Sequence, residues 1–233
     1  MRVVLVETRN PLNIGAAARA MANFGFRRLR VVRPYDVAFR EARSAVGGAG
    51  VLRVAKQFDT VAEAVADCGL VVGTTAAGRR ELQHTLRRLE PGARLMKRAL
   101  EGAPVALLFG SEKSGLGNEH LSHCQWLVRI PTGDDVPSMN LGQAVAVCLW
   151  ELARDPKAVR RATEAIRLAT GAQNEQVTDL LLDALRESGY INPVTATSAD
   201  EKTRRLVRRL NITGRDAPVL MGMLRQLLWK VRQ

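Results

Sequence analysis

Three short stretches, far apart along the chain, combine glycine with polar side chains suited to holding a small ligand and orienting a reacting group. They are Asn13-Ile14-Gly15-Ala16-Ala17-Ala18-Arg19, Phe109-Gly110-Ser111-Glu112-Lys113-Ser114-Gly115-Leu116, and Ile130-Pro131 followed by Ser138-Met139-Asn140-Leu141. In the first, Asn13 precedes an apolar periodicity (Ile14, Ala17, Met21, Phe24) and reads as an N-cap, while Gly15 permits close approach of a ligand or a second backbone. Arg19 lies off that stripe. Helical side chains lean toward the N-terminus, so its guanidinium either reaches back to a site near Asn13 or simply faces solvent. In the second, Glu112 on a glycine loop could orient an arginine or a sugar hydroxyl. The third places Ser138 and Asn140 where a helix begins and backbone N–H groups lack partners. That reads either as capping or as a cradle for a cofactor, with Ser138 beside the reacting group.

Familiar nucleotide motifs fail on inspection. Gly110 and Gly115 have P-loop spacing, but Leu116-Gly117 stand where Lys and Ser or Thr are required. Gly48 and Gly50 begin a dinucleotide pattern, yet Arg53 holds its third glycine position. His120, His123 and Cys124 cluster without a second ligand pair, so no metal is expected. Cys68, Cys124 and Cys148 are odd in number and dispersed, which argues against a disulfide framework.

The elements that must position these stretches follow from hydropathy. Continuous apolar runs at Val3 to Val6, Leu29 to Val32, Leu70 to Gly73, Val105 to Phe109 and Leu127 to Ile130 predict strands of a parallel sheet covered on both faces. Helical patterns at Ile14 to Phe24, Val61 to Cys68, Ala93 to Leu100 and Leu141 to Arg154 alternate with them, giving a doubly wound α/β domain over residues 1–154. Each motif begins where a strand ends, so the three could build one crevice at the carboxyl edge of the sheet.

Asp155-Pro156 marks a break, and no strand pattern returns beyond it. Helices are expected near 157–169, 175–187, 200–210 and 217–231, punctuated by Gly171, Gly189, Asn192-Pro193 and Gly214. This divides the chain into 1–154, a linker with helix at 155–173, and a helical extension at 174–233. Within the extension, Arg204, Arg205, Arg208 and Arg209 are spaced to share one helix face, with Leu206, Val207 and Leu210 on another. That face suits RNA phosphates, or else it is a solvated face holding neighbours such as Asp200 and Glu201.

Charge points the same way. With 35 Lys and Arg against 23 Asp and Glu, the net charge is +12 over 233 residues, which favours a polyanionic partner; solubility or an arginine-rich composition is the plainer reading. No run is long enough to span a bilayer and no signal peptide precedes the first strand, so a cytoplasmic location and no membrane contact are expected.

In order and in element context, the three motifs resemble the SpoU/TrmH branch of the SPOUT RNA methyltransferases. The resemblance covers the whole first domain and includes Thr74-Thr75-Ala76 after the third apolar run. The extension, from Leu180 to Tyr190 through the arginine-rich helix, is similar to the tail of the TrmJ-type tRNA methyltransferases. The resemblance implies a SPOUT-like parallel sheet with a C-terminal deep trefoil knot, a small all-helical extension and a homodimer with sites near its interface, where Ala144 and Ala146 allow close packing. It implies methyl transfer from S-adenosylmethionine to a ribose 2′-hydroxyl, in tRNA at nucleotide 32 of the anticodon loop. Thr74, Thr75, Ala76, Gly110, Ile130, Ser138, Met139 and Asn140 would hold the cofactor. Arg19, Asn13, Glu112, Ser138 and Asn140 would serve catalysis, and Arg19 with the four extension arginines would grip RNA. Met139 departs from the family's Ser-Leu-Asn, a volume-conserving change. Alternatives are an rRNA-directed or base-methylating relative of the same fold, a non-catalytic RNA-binding relative, and an unrelated nucleotide-binding α/β domain.

Overall fold

The apolar runs of the first 154 residues become the inner strands of one parallel sheet. The structure, a computed structural model, describes residues 1–35, 48–76, 83–154, 167–191 and 196–233. Its strands are β1 (Arg2–Val6), β2 (Leu29–Val32), β3 (Lys56–Phe58), β4 (Leu70–Thr74), β5 (Leu86–Arg88), β6 (Val105–Phe109) and β7 (Trp126–Arg129). They pair in parallel in the order β3-β2-β1-β6-β4-β7-β5. The helices are α1 (Pro11–Asn23), α2 (Ala49–Arg53), α3 (Val61–Val65), α4 (Leu89–Gly102), α5 (Asn118–Leu121), α6 (Leu141–Ala153), α7 (Gly171–Glu187), α8 (Ala196–Arg209) and α9 (Asp216–Val231).

Burial explains the continuous apolar runs. Val3 and Leu5 point into a core shared with α1, α4 and α6, whereas Val4 and Val6 point into a second core with α3. Both faces of the central strands are therefore dry, as in other helix-covered parallel sheets.

Two strands escape the hydropathy reading. Lys56–Phe58 and Leu86–Arg88 lie at the two edges of the sheet, exposed and charged. Charge at an edge discourages pairing with a second sheet, and it removes the apolar signal that marks an inner strand. One boundary also moves. Helix α1 starts at Pro11, with Asn10 accepting from the Leu12 N–H at 2.9 Å, so the N-cap is Asn10 and not Asn13. Proline at the first helical position has no N–H to leave unpaired there.

Beyond Arg154, residues 155–166 of the expected linker at 155–173 lie outside the described residues, as do Asn192-Pro193. Residues 167–169 of the expected helix near 157–169 are not helical, and Leu168 forms an antiparallel bridge with Thr213. Helix α7 begins at Gly171, set by a capping box in which Thr170 and Gln173 satisfy each other's N–H groups at 2.9 and 3.2 Å. Helices α7, α8 and α9 enclose a small core of Ala169, Val177, Val207, Ile212, Ala217 and Met221. Among the described residues no helix is long and apolar enough to cross a membrane.

The extension docks on the sheet domain through tight backbone contact. The Ala172 N–H donates to the Ala66 carbonyl at 2.9 Å. A Cβ on Gly171 would lie 2.2 Å from the Val65 carbonyl oxygen. Gly171→Ala is expected to destabilise the protein by about 1–3 kcal/mol, the usual cost of forcing an atom into a filled site. Urea unfolding followed by circular dichroism checks this; an unchanged midpoint would mean that α7 shifts freely on α3.

Candidate functional site

Because all seven strands run the same way, the loops after β1, β4, β6 and β7 leave one edge of the sheet and meet around a cavity of about 490 Å³. The strand order also reverses direction here, with β6 lying beside β1. A crevice at such a point is the usual place for a ligand in an open α/β sheet. Its lining includes Asn13, Thr74 to Ala76, Phe109 to Leu116, and Ser138 to Leu141.

Hydrogen bonds tie the three sequence motifs together. Asn13 Nδ2 donates to Glu112 Oε1 at 2.9 Å, and Asn140 Nδ2 donates to Asn13 Oδ1 at 2.8 Å. Glu112 also accepts the backbone N–H groups of Arg9 and Asn10, each at 3.3 Å. Asn140 Oδ1 accepts from the Gly142 and Gln143 N–H groups at 2.9 and 3.4 Å, so it caps α6 while its amide faces Asn13. Capping and site building are thus two ends of one side chain. Partial burial pushes the Glu112 carboxyl up, but the bonds from Asn13 and the backbone outweigh it and hold the pKa below its ordinary value. Glu112 is therefore an ionised acceptor and a weak base.

The second motif folds back on itself. Gly115 donates its N–H to the Ser111 carbonyl at 2.8 Å, and the Ser111 and Ser114 hydroxyls bond at 2.9 Å. Gly115 takes φ +66, and a Cβ on Gly110 would lie 2.0 Å from the Gly115 carbonyl carbon. Ser111 and Ser114 carry no weight in the sequence reading, yet they close this loop. Their i, i+3 spacing between two glycines is the available signal.

All eight expected cofactor residues (Thr74, Thr75, Ala76, Gly110, Ile130, Ser138, Met139 and Asn140) line the cavity. Two bonds fix the backbone of the first segment rather than reach inward: Thr74 Oγ1 donates to the Leu108 carbonyl at 2.9 Å, and the Thr75 N–H donates to the Val128 carbonyl at 3.0 Å. Of the expected catalytic group, Asn13, Glu112, Ser138 and Asn140 also line it. Arg19 does not. It sits on the exposed stripe of α1, about 9 Å along the helix from Asn13. The structure thus separates it from the motif partners that the sequence groups with it.

The extension arginines need correction. Arg208 is 1% exposed and Arg205 is 7% exposed, while Arg204 is partly buried and Arg209 faces solvent. Arg204 and Arg208 both bond to Glu175 of α7, and Arg205 lies 3.9 Å from Glu201. Leu206 and Leu210, expected as the apolar backing, are exposed at 45% and 59%. The helix is turned so that Arg204 and Arg208 meet the half-buried Glu175, a partner on another helix that spacing along α8 does not reveal, while Arg205 faces Glu201 one turn back on α8 itself.

The sequence profile of the SpoU rRNA methylase family matches residues 1–150. The chain belongs to that family. This SpoU methylase is 35% identical over 231 residues to a Yersinia pestis protein named tRNA (cytidine/uridine-2′-O-)-methyltransferase TrmJ, covering 96% of this chain and 90% of the relative. It is 34% identical to a Pseudomonas aeruginosa relative named tRNA (cytidine/uridine/adenosine-2′-O-)-methyltransferase TrmJ, covering 96% and 92%. The crystal structure of TrmJ from Z. mobilis ZM4 superposes with a TM-score of 0.83 at 30% identity, over 97% of this chain and 98% of that one. The likeness to TrmJ proteins therefore runs through the helical extension as well as the SpoU methylase domain.

Proposed function

We propose that this chain is an S-adenosylmethionine-dependent RNA ribose 2′-O-methyltransferase that acts on tRNA at nucleotide 32 of the anticodon loop. The observation that carries the reading is the Glu112–Asn13–Asn140 bridge, which draws the three motifs onto one cavity. The named activities of the full-length relatives support the tRNA ribose as substrate.

The cavity suits the methyl donor. Its volume lies within the range of cofactor clefts, and Leu116, Val128 and Ile130 give it an apolar wall beside glycine-rich backbone. When bound, S-adenosylmethionine supplies an activated methyl group on a sulfonium. The chain supplies position: the ribose oxygen must lie in line with the methyl carbon and sulfur, and fixed geometry is the larger share of such catalysis. Ser138, at the exposed rim of the cavity, stands beside the ribose. Asn140 and Asn13 hold the rim closed against α1. Arg19 clamps substrate phosphate through the planar fork of its guanidinium.

We assign residues 1–154 to the methyltransferase domain, 155–173 to the connection and 174–233 to an RNA-binding extension, with Arg209 as its exposed phosphate contact. The reading includes a deep trefoil knot at the C-terminal part of this domain, supported by the insertion of β6 between β1 and β4 and of β7 between β4 and β5. A cytoplasmic homodimer completes the reading. The exposed stripes of Leu12, Ala16 and Arg19 on α1 and of Gln143 and Trp150 on the adjacent α6 supply a surface for it.

The test uses purified protein, labelled S-adenosylmethionine and total tRNA from cells lacking the enzyme, followed by nuclease mapping. A labelled nucleotide 32 whose 3′ linkage resists alkali is expected. Label in ribosomal RNA instead would overturn the substrate, and base methylation or no label would overturn the reaction.

A further inference from the structure

We propose that Glu175, which lies outside the cavity, is a positioning residue for the cofactor loop, acting through α5. It sits on α7 of the extension with its side chain 19% exposed. Arg208 Nη2 donates to its Oε1 at 2.7 Å and Arg204 Nε donates to its Oε2 at 3.2 Å. His123 Nδ1 lies 3.4 Å from Oε1. Burial pushes the Glu175 carboxyl up, but the His123 ring and the two guanidinium groups outweigh it and bring the pKa to about 2. Glu175 is thus a carboxylate at any working pH.

The cluster grips the end of one short helix. His123 and Ser122 directly follow α5, and Arg204 Nη1 donates onward to Ser122 Oγ at 3.3 Å. Ser122 Oγ in turn donates to the Glu119 carbonyl at 2.6 Å. Helix α5 is a single turn about 6 Å long, so a shift at one end reaches the other. At that other end the Gly117 N–H donates to His120 Nδ1 at 3.2 Å. Leu116 and Leu121, on either side of this turn, both wall the cavity. Contact is therefore continuous from Glu175 to the cofactor wall.

Docking alone does not require this cluster, because Gly171 and Ala172 already seat α7 on α3. What Glu175 adds bears on α5. Arg208 is 1% exposed, and its Nε and Nη1 have no hydrogen-bond partner among the described residues. Its charge rests on Glu175, and a buried charge left unpaired is strongly unfavourable. Without the carboxylate, Arg208 must leave, and α8 with its Ser122 contact moves too.

This rests on the methyl-donor reading of the cavity, and the test separates the two. In the full chain, Glu175→Ala is expected to weaken S-adenosylmethionine binding by calorimetry about tenfold, within the range for couplings through packed elements. It is also expected to speed hydrogen exchange of the amides of residues 110–124, with circular dichroism unchanged. Glu175→Gln, which retains one acceptor, is expected to fall between. Arg186→Ala, which removes an Arg186–Asp200 bond inside the extension, is expected to leave both readouts at the wild-type level. Wild-type affinity and exchange in a folded Glu175→Ala protein would overturn the proposal, as would an equal loss in Arg186→Ala. If Glu175→Ala does not fold, Arg204→Ala decides: it keeps the Glu175–Arg208 bond, cuts the Ser122 link, and is expected to weaken binding about threefold. If the wild type binds no S-adenosylmethionine, the donor reading fails, and hydrogen exchange alone still tests the coupling.

Discussion

Gly110→Ala is expected to weaken cofactor binding by on the order of 100-fold and to abolish methyl transfer in step. The reason is space, since the residue's φ is ordinary. An added Cβ would lie 2.0 Å from the Gly115 carbonyl carbon, 2.2 Å from the Leu116 nitrogen and 2.3 Å from the Gly115 oxygen. All three are backbone atoms, so no side chain can rotate away. The loop must open, and opening it breaks the Gly115–Ser111 backbone bond and shifts Leu116 in the cavity wall. Gly115→Ala provides the contrast. Nothing lies within 4 Å of its Cβ, and its φ of +66 carries a conformational cost of about 1–2 kcal/mol. Gly133→Ala meets neither obstacle and is expected to behave as wild type. Calorimetric titration with S-adenosylmethionine ranks the three, and near-normal affinity in Gly110→Ala would mean that the loop adapts.

How much of this was legible beforehand depended on where each partner sits in the sequence. Inner strands announced themselves because burial on both faces demands unbroken apolar runs, as in Val105 to Phe109. The edge strands at Lys56 and Leu86 did not, since charge suits an edge and hydropathy then reads loop. Within the site, residue types and motif order brought Asn13, Glu112 and Asn140 onto one crevice. Yet the bonds among them span 99 and 127 positions, which no local pattern encodes. Asn13 looked like a cap because an asparagine before an apolar stripe usually is one; Asn10-Pro11 made the stronger cap three residues earlier. The extension misled for a related reason. Periodicity places the arginines on a common side of α8, but Glu175, on another helix, draws two of the four, Arg204 and Arg208, inward.

The second large effect tests whether the bridge acts as a unit. Glu112→Ala is expected to lower turnover by about 100-fold, the scale of a displaced reacting group, through positioning and not through loss of a base. Its carboxylate gathers three donors: Asn13 Nδ2 and the N–H groups of Arg9 and Asn10. Removing it frees the turn that leads into α1 and lets Asn13 swing away from Asn140. Glu112→Gln should recover little, because an amide offers one oxygen and must aim its own N–H₂ at a group that also donates. The carboxyl is held ionised at neutral pH by those same donors, so protonating it is expected to cost what Glu112→Gln costs: turnover falls as pH drops through the lowered pKa, and both variants lose that inflection. Asn13→Ala should cost nearly as much, and the double variant little more than either single one, as expected of residues that work together. Additive losses in single-turnover rates would show instead that Glu112 and Asn13 serve the reaction separately, and that the bond between them is incidental.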